Sequence, residues 1–321
     1  MSFNTTTTSI STDTDVILNT GARMPVLGFG VYESKDAAKS VKLALEAGYR
    51  HIDSARFYKN EADVEKAVQE SGLDRSSLFL TTKVLGKEHG YEKCQAAILD
   101  SIKPPKPNYW DLILLHDPTS GPNNRIEAYR ALAEGLKRGH SKSIGVSNFG
   151  VTHLVELEEA KVGPIPAINQ VNVKNILIKI DKMVLISSIK IRFLLMIWAF
   201  SFFFFNKVEL HPWCQQKSIV EYCRSKGIVV QAYCPLVRGQ FMDHPTLVEI
   251  AKRHKKSVAQ VLIRWSLQHG FVPLPKSDSP NRIKENVEVF DFELDSQSME
   301  QLDGLDKGDS GAISWNPTSV A

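Results

Sequence analysis

The 321-residue sequence contains only four cysteines, Cys94, Cys214, Cys223 and Cys234. None of them forms a C-x-x-C pair, and no histidine spacing near them is typical of a zinc site. We therefore expect no bound metal. The pattern indicates reduced thiols in a cytoplasmic protein, where disulfides are rare.

The N-terminus lacks the features of a targeting segment. Its first fifteen residues are polar and rich in threonine, with neither an apolar core nor a basic start, so they do not resemble a secretory signal. The absence of arginine also disfavours a transit peptide. We predict a disordered polar tail over residues 1–14, followed by one domain over residues 15–321.

The chain lacks a basic stripe, although its formal net charge is +3. Residues 171–207 carry six basic side chains and one acidic side chain, a charge of +5, which leaves −2 for the remainder. A nucleic-acid partner is therefore not expected, because its electrostatic footprint is missing.

The order of elements predicts an α/β protein of the (β/α)₈ barrel class, which takes about 250 residues plus additions. Apolar, strand-like runs lie at 79–84, 110–115, 143–147, 166–170, 228–233 and 271–275. Amphipathic helices are predicted at Lys35–Ala47, Glu61–Glu70, Tyr91–Ile102, Arg125–Lys137 and Ser257–His269. Strands and helices that alternate this often favour parallel strands covered by helices.

A dinucleotide-binding G-x-G-x-x-G motif is absent, which favours a closed barrel over an open doubly wound sheet. The early glycines read LGFGVY (27–32) and lack the third glycine.

Before them, a hairpin that turns at Thr20-Gly21 is expected to plug the barrel floor. Ser257 begins an S-V-A-Q capping box at the start of a predicted helix.

Polar residues stand at the ends of the strand-like runs at a nearly regular spacing. They are Gly30, Asp53, Lys83, His116, Ser147, Gln170, Tyr233 and Lys276. One βα unit takes about 30 residues, but the gap between Gln170 and Tyr233 is 63. Without the 37 positions from Val171 to Lys207 the gap becomes 26. We predict an insert after the sixth barrel strand.

Four titratable residues follow these strand ends, namely Asp53, Tyr58, Lys83 and His116. Singly, each has an ordinary structural interpretation: a turn cap, a packed phenol, a lysine that reaches solvent and a hydrogen-bonded core histidine. In a barrel all four face one mouth, at the carboxyl end of the strands where barrel active sites lie. The set therefore indicates catalysis.

The sequence closely resembles the aldo-keto reductase family. The resemblance is carried by GFGVY, HIDSARFYKNE, LTTKV, LILLHDP, KSIGVSNFG, AINQ, VELHPW, AYCPL and PLPKSDSPNRIKEN. These motifs run in family order from Val16 to about Asp306, outside residues 171–207. The stretches YWDLILLHDP and VLIRWSLQHGFVPLPKS resemble the fungal branch of the family.

The resemblance implies NADPH-dependent reduction of small aldehydes or ketones by a monomer. Tyr58 is the expected proton donor, Lys83 lies beside it, Asp53 pairs with Lys83, and His116 orients the substrate oxygen. A phenol has a pKa of about 10 and is a weak acid at neutral pH, so a neighbouring cation is expected to stabilise its phenolate.

The resemblance also implies a cofactor site. Ser147, Asn148 and Gln170 are expected to bind the nicotinamide carboxamide, and the ring is expected to stack on Tyr233. The 2′-phosphate and adenine contacts are expected from Lys276, Ser277, Arg282, Glu285 and Asn286. Further cofactor contacts are expected from Gly30, Val31, Tyr32 and Leu236, and substrate contacts from Tyr32, His116 and Asp117.

Two of these assignments have simpler alternatives. Ser147 and Asn148 fit an ordinary strand-to-helix cap, and Lys276 and Arg282 fit a solvated charged surface. Ser279 is expected to cap a helix with Pro280 at its first position, and a helix N-terminus attracts anions such as phosphate.

The chain departs from the family in places that bear on specificity. Val31 replaces a small polar residue, Asp117 replaces a tryptophan found in many relatives, and the C-terminal tail is short. The Asp117 change predicts a more polar pocket.

Residues 171–207 form a foreign-looking stretch between AINQ and VELHPW, which the family joins directly. Twenty-four of these 37 residues are apolar, and none is Gly or Pro. The uncharged run Phe193–Phe205 has 13 residues, short of the roughly 20 that span a bilayer. Its ends fit GT and AG codon signals, and its composition fits AT-rich DNA. We interpret it as a retained intron or a gene-model error.

Two other functions stay open from the sequence. The first is a cofactor-binding regulatory barrel that keeps the four titratable residues, here called the tetrad (Asp53, Tyr58, Lys83 and His116), without turning over substrate. The second is an inactive or membrane-anchored product of intron retention, because no membrane association is expected unless the insert anchors the chain.

Overall fold

The structure is a computed structural model, and it describes residues 10–11, 13–171, 210–311 and 320. The predicted insert lies outside the described residues, except for the backbone of Val171. Most of the predicted N-terminal tail also lies outside them. Of the rest of the tail, Ile10 packs against the core and Thr14 accepts a hydrogen bond from the Val26 N–H.

Eight parallel strands, neighbours in chain order, form a closed (β/α)₈ barrel, as predicted. Gly28 and Gly30 donate to the carbonyls of Pro273 and Pro275, at 3.1 and 3.0 Å, and so join the first strand to the last. The strands are β3 (Phe29–Gly30), β4 (His51–Asp53), β5 (Phe79–Val84), β6 (Trp110–Leu115), β7 (Ser141–Ser147), β8 (Ile168–Val171), β9 (Val229–Tyr233) and β10 (Val272–Leu274).

An N-terminal hairpin plugs the barrel floor, also as predicted. Its strands β1 (Asp15–Ile17) and β2 (Arg23–Pro25) are antiparallel, and Gly21 takes a left-handed conformation (φ 82°) in the turn. Glycine adopts that conformation without steric cost. Met24 is fully buried against the lower interior layer, which includes Phe79 and Leu112.

Helices surround the barrel. They are α1 (Ala37–Glu46), α2 (Glu61–Ser71), α3 (Tyr91–Ser101), α4 (Pro122–Lys137), α5 (Val151–Ala160), α6 (Lys217–Ser225), α7 (Pro245–His254), α8 (Val258–Gln268), α9 (Pro280–Val287) and α10 (Ser296–Asp303). In the ranges that the structure describes, no helix is both long and apolar enough to cross a membrane.

The five predicted helices are present, and the Ser257–Gln260 capping box is confirmed. The prediction for α4 began three residues late, because the helix starts at Pro122. Proline suits a first helical position, where its missing N–H is not needed.

The barrel interior buries a histidine beneath the carboxyl ends of the strands. His51 is fully buried, with Nδ1 3.4 Å from the Pro25 carbonyl oxygen and Nε2 3.5 Å from Gln231 Nε2. Burial lowers the pKa of His51 to about 4, because the charged imidazolium loses its hydration.

His51→Gln is therefore expected to reduce the acid sensitivity of folding. The unfolded chain takes up a proton at His51 near pH 6.5, whereas the folded chain does so only near pH 4. In that window the unfolded state binds more protons, so the free energy of unfolding falls by about 3 kcal/mol as pH drops. Urea unfolding of both proteins between pH 4 and 7 measures this slope. Parallel curves would contradict the assignment.

Candidate active site

The structure places the four predicted catalytic residues at the carboxyl ends of three neighbouring strands. Asp53 ends β4, Lys83 is the penultimate residue of β5, and His116 directly follows β6. Tyr58 ends a short 3₁₀ turn, Arg56–Tyr58, in the loop after β4.

Lys83 connects Asp53 and Tyr58 through hydrogen bonds. Its ammonium donates to Asp53 Oδ1, to the Ser54 carbonyl oxygen at 2.9 Å and to Tyr58 Oη at 3.4 Å. Asp53 and Lys83 are almost completely buried. The ring of His116 stands edge-on to the ring of Tyr58, with 5.8 Å between their centroids.

Burial dominates the electrostatics of Tyr58 and Lys83. Burial raises the pKa of Tyr58 well above 10, and the nearby Asp53 carboxylate raises it further. Burial lowers the pKa of Lys83, and Asp53 opposes this. The Lys83 ammonium beside Tyr58 is also paired with the Asp53 carboxylate, so charges of both signs act on the phenol. Tyr58 keeps its proton at neutral pH.

The loop that carries Tyr58 is held from both sides. Ser54 Oγ donates to Asn60 Oδ1 at 2.7 Å, and Asn60 Nδ2 donates to the Val31 carbonyl oxygen at 3.0 Å. Lys59 takes a left-handed conformation (φ 57°) that turns the chain into α2. Val31 itself is fully buried in the core, and its carbonyl holds Asn60.

The residues predicted to bind the carboxamide gather at the ends of β7 and β8. Ser147 Oγ donates to the Gln170 carbonyl oxygen at 3.1 Å, and Asn148 Nδ2 donates to the His116 carbonyl oxygen at 2.5 Å. Gln170 Nε2 donates to Asp53 Oδ2 at 3.0 Å. Neither Ser147 nor Asn148 caps α5, because Gly150 stands at its N-cap position and no side chain caps the helix there. The Gly150 N–H donates to His153 Nδ1 at 3.1 Å.

An amide-shaped ligand fits this end of the site. Asn148 Oδ1 is buried and has no hydrogen-bond partner in the described part of the chain. Asn148 also takes a left-handed conformation (φ 69°), which asparagine tolerates better than most residues. An unsatisfied buried acceptor is costly, and the NH₂ of a carboxamide would satisfy it.

A cavity of about 900 Å³ lies beyond, at the N-terminal end of α9. Six predicted cofactor residues line it: Leu236, Lys276, Ser277, Arg282, Glu285 and Asn286. The sequence argument missed three charged lining residues, Lys35, Arg238 and Asp278. Asp278 was visible in the PKSDS motif, whereas only the fold brings Lys35 and Arg238 here.

Two details of this cavity differ from expectation. The Lys276 ammonium donates to Asp278 Oδ2 at 2.7 Å and to the Glu33 carbonyl oxygen at 3.0 Å, and 30% of its side chain is exposed. Ser279 stands at the N-cap position of α9, but its side chain makes no capping bond. Instead its N–H donates to Ser277 Oγ at 3.1 Å.

The remaining predicted residues are Tyr32, Tyr233, Gly30 and Asp117. Tyr32 and Tyr233 border the tetrad, and the Tyr32 ring lies 5.2 Å from the Tyr58 ring. Burial, aided by Glu33, raises the pKa of Tyr32 to about 12. Gly30 lies against the backbone of β10, where an added Cβ would sit 3.4 Å from the Leu274 carbonyl oxygen. The carboxylate of Asp117 binds N–H groups of two loops.

This arrangement defines a (β/α)₈ barrel with a Tyr–Lys–Asp–His cluster at its mouth and a long charged cavity beside it. The Aldo/keto reductase family model matches residues 21–187 and 199–307. The chain belongs to this family of oxidoreductases, whose members generally carry out NAD(P)H-dependent carbonyl reduction. The interruption of the match falls within residues 171–207.

Relatives and solved structures agree with this family. The chain is 38% identical over 296 residues to glyoxal reductase of Bacillus subtilis, covering 91% of this chain and 92% of that one. An aldo-keto reductase from a Medee basin deep-sea metagenome library superposes with a TM-score of 0.80 at 33% identity, covering 96% and 100%. Bombyx mori aldo-keto reductase in complex with NADP gives 0.74 at 29% identity, covering 92% and 93%.

Proposed function

We propose that the chain is an NADPH-dependent carbonyl reductase in which Tyr58 protonates the carbonyl oxygen. The observation that carries the proposal is the Lys83 ammonium, bound at once to Asp53 and, at 3.4 Å, to Tyr58 Oη. The raised pKa of Tyr58 keeps the donor protonated at neutral pH. A nicotinamide cofactor, when bound, would supply the hydride.

The residues divide the proton-transfer step among them. Tyr58 Oη gives its proton to the carbonyl oxygen as negative charge develops there, and Lys83 donates a hydrogen bond to the phenolate oxygen that remains. Asp53 fixes the ammonium in place. His116, edge-on to Tyr58, orients the carbonyl oxygen between the two side chains. Fixed hydrogen bonds in a buried site stabilise developing charge without reorganisation.

The cofactor would lie from the β7–β8 ends to α9. Ser147, Asn148 and Gln170 would hold the carboxamide, and Arg282 with Lys276 would hold the 2′-phosphate. The Lys276 ammonium is paired with the Asp278 carboxylate. We therefore expect Arg282, whose guanidinium binds phosphate bidentately, to contribute more to binding the 2′-phosphate.

Arg282→Ala is accordingly expected to weaken NADPH binding by about 1.5–3 kcal/mol, the range for hydrogen bonds to charged groups, and to leave NADH binding nearly unchanged. Quenching of cofactor fluorescence measures both. Lys284→Ala is the matched control, because Lys284 is an exposed cation on the same helix that does not line the cavity. Equal losses for both cofactors would show that Arg282 is structural.

We also propose that residues 171–207 are an insert in a single barrel domain, and strand register supports this. In β8 and β9, Ile168 lies opposite Val229, so the paired residues are 61 positions apart. The Val229 N–H donates to the carbonyl oxygen of Ala167, the residue before Ile168. By the same rule of parallel ladders, Leu210, which donates to the Tyr233 carbonyl at 3.0 Å, lies opposite Cys234. Leu210 and Cys234 are 24 positions apart, which is 37 fewer than the 61 positions between Ile168 and Val229. The chain therefore carries 37 residues more than a continuous strand needs, which is the length of Val171–Lys207.

The catalytic proposal is tested by screening aldehydes, α-keto esters and sugars for NADPH oxidation. Turnover of a carbonyl compound is expected. The monomeric state and the cytoplasmic location stay predictions from the sequence.

A further inference from the structure

Arg56 makes an unusually complete set of bonds two residues before Tyr58. Its Nε and Nη2 bind the Glu88 carboxylate at 2.9–3.2 Å, and its Nη1 donates to Asp100 Oδ2 at 2.8 Å. Nη1 also donates to the Ala97 carbonyl oxygen and to Ser101 Oγ, each at 3.0 Å. Only 15% of the Arg56 side chain is exposed.

Glu88 belongs to the loop after β5, the strand that carries Lys83. It ends the 3₁₀ turn Gly86–Glu88, and its Oε2 also accepts from the Leu85 N–H at 3.3 Å. The Arg56–Glu88 pair therefore ties the loop that carries Tyr58 to the loop that follows Lys83.

The same turn is tied to the next loop. Asp117 Oδ2 accepts from the Gly86 N–H at 3.1 Å, and Asp117 directly follows His116. An added Cβ at position 86 would lie 2.5 Å from Asp117 Oδ1, so a larger residue there would displace the Asp117 carboxylate. One short turn thus joins three loops, each of which holds or adjoins one member of the tetrad.

We propose that Arg56, Glu88 and Asp117 form a clasp that sets the separation of Tyr58, Lys83 and His116. Arg56 acts as a positioning residue through Tyr58, and Asp117 acts through the loop rather than on substrate. Misplacement of a catalytic group by about 1 Å costs up to 10²-fold in rate, so a clasp of this kind has direct leverage on turnover. This inference rests on the proposed role of Tyr58.

The test is Arg56→Lys in the full chain, which keeps the charge but loses the planar fork. We expect kcat to fall about 10-fold or more, with the KM of the carbonyl substrate and the NADPH dissociation constant changed less than about twofold. The solvent deuterium isotope effect on kcat should rise, because proton transfer from a displaced Tyr58 becomes slower. A role in stability alone does not move this isotope effect.

Arg264→Lys is the matched control. Arg264 is more deeply buried than Arg56 and bonds to Glu293, Gln268 and the Val289 carbonyl, away from the loops of the tetrad. It should lose thermal stability and keep its kcat and isotope effect. If Arg56→Lys does not fold, Glu88→Gln tests the clasp from the other side, with the same expected changes.

Wild-type kcat and isotope effect in a folded Arg56 or Glu88 variant would overturn the clasp. If Tyr58→Phe abolishes turnover in that experiment, the proposed function stands and the clasp alone fails. If Tyr58→Phe keeps turnover, the proposed function itself is wrong.

Discussion

Tyr58→Phe is expected to lower kcat by about 10²–10⁴-fold, the usual contribution of general acid catalysis, while NADPH still binds. The substitution removes the phenol oxygen and its proton but keeps the ring beside Tyr32 and His116. The raised pKa of Tyr58 means that the donor is present throughout the neutral range. Loss of activity should therefore be similar at each pH between about 6 and 8.

The measurement compares NADPH oxidation and fluorescence quenching in both proteins, in a form of the chain with measurable turnover. Tyr129→Phe is the matched control, since Tyr129 is a buried tyrosine whose Oη bonds to the Pro164 carbonyl oxygen at 2.9 Å outside the site. It should cost about 1 kcal/mol of stability and no turnover. Near-normal turnover in the Tyr58 variant would remove Tyr58 from the mechanism.

Deletion of Val171–Lys207 is expected to raise soluble yield and turnover together, with Gln170 joined to Val208. The segment follows Gln170, beside the residues proposed to bind the carboxamide. Two dozen apolar side chains there need to be buried against other apolar surface, because exposed apolar stretches of this kind promote aggregation. The barrel strands tolerate the extra chain, because each doubling of loop length costs only about 0.6 kcal/mol in closure entropy.

Strand register makes this deletion a sharp experiment. Removing all 37 residues continues β8 in step with β9, whereas removing 172–207 leaves one extra residue. A one-residue slip turns every following side chain to the opposite face of the strand. The 37-residue deletion should therefore be the more stable and more active of the two.

Transcript sequencing gives an independent check, because spliced messages should lack this stretch. If mature transcripts keep it, and the full-length protein is as soluble and active as the 37-residue deletion, the intron interpretation is wrong and the segment is a genuine loop.

Strong local patterns in the sequence predicted the elements that place the tetrad. The strand-like runs 79–84 and 110–115 matched β5 and β6 residue for residue, and every residue of both strands is buried. Helices α5, α6, α7 and α10 escaped prediction. Their length alone does not explain this, because the predicted helix α1 also has only ten residues.

The site was predictable where a motif fixes a strand end, as at Asp53 and Lys83. The hydrogen-bond partners of a side chain were not predictable where those partners lie far away in the sequence. Asp117, predicted to contact substrate, accepts a hydrogen bond from the Gly86 N–H of the neighbouring loop, and the Asp278 carboxylate is paired with Lys276. The Arg56–Glu88 pair spans 32 positions, so no local spacing reveals it. Burial, which dominates the pKa of Tyr58, is likewise a property of the folded barrel.

Reduction with NADPH deuterated at the hydride-donating carbon tests the proposed chemistry most directly. The chain, full-length or with Val171–Lys207 deleted, should convert at least one aldehyde or ketone into an alcohol that carries one deuterium on the former carbonyl carbon. Mass spectrometry of the product reads this out, and Tyr58→Phe should form little of it. A chain that binds NADPH in both forms but transfers no deuterium to any carbonyl compound would contradict the reductase and indicate a cofactor-binding regulatory barrel.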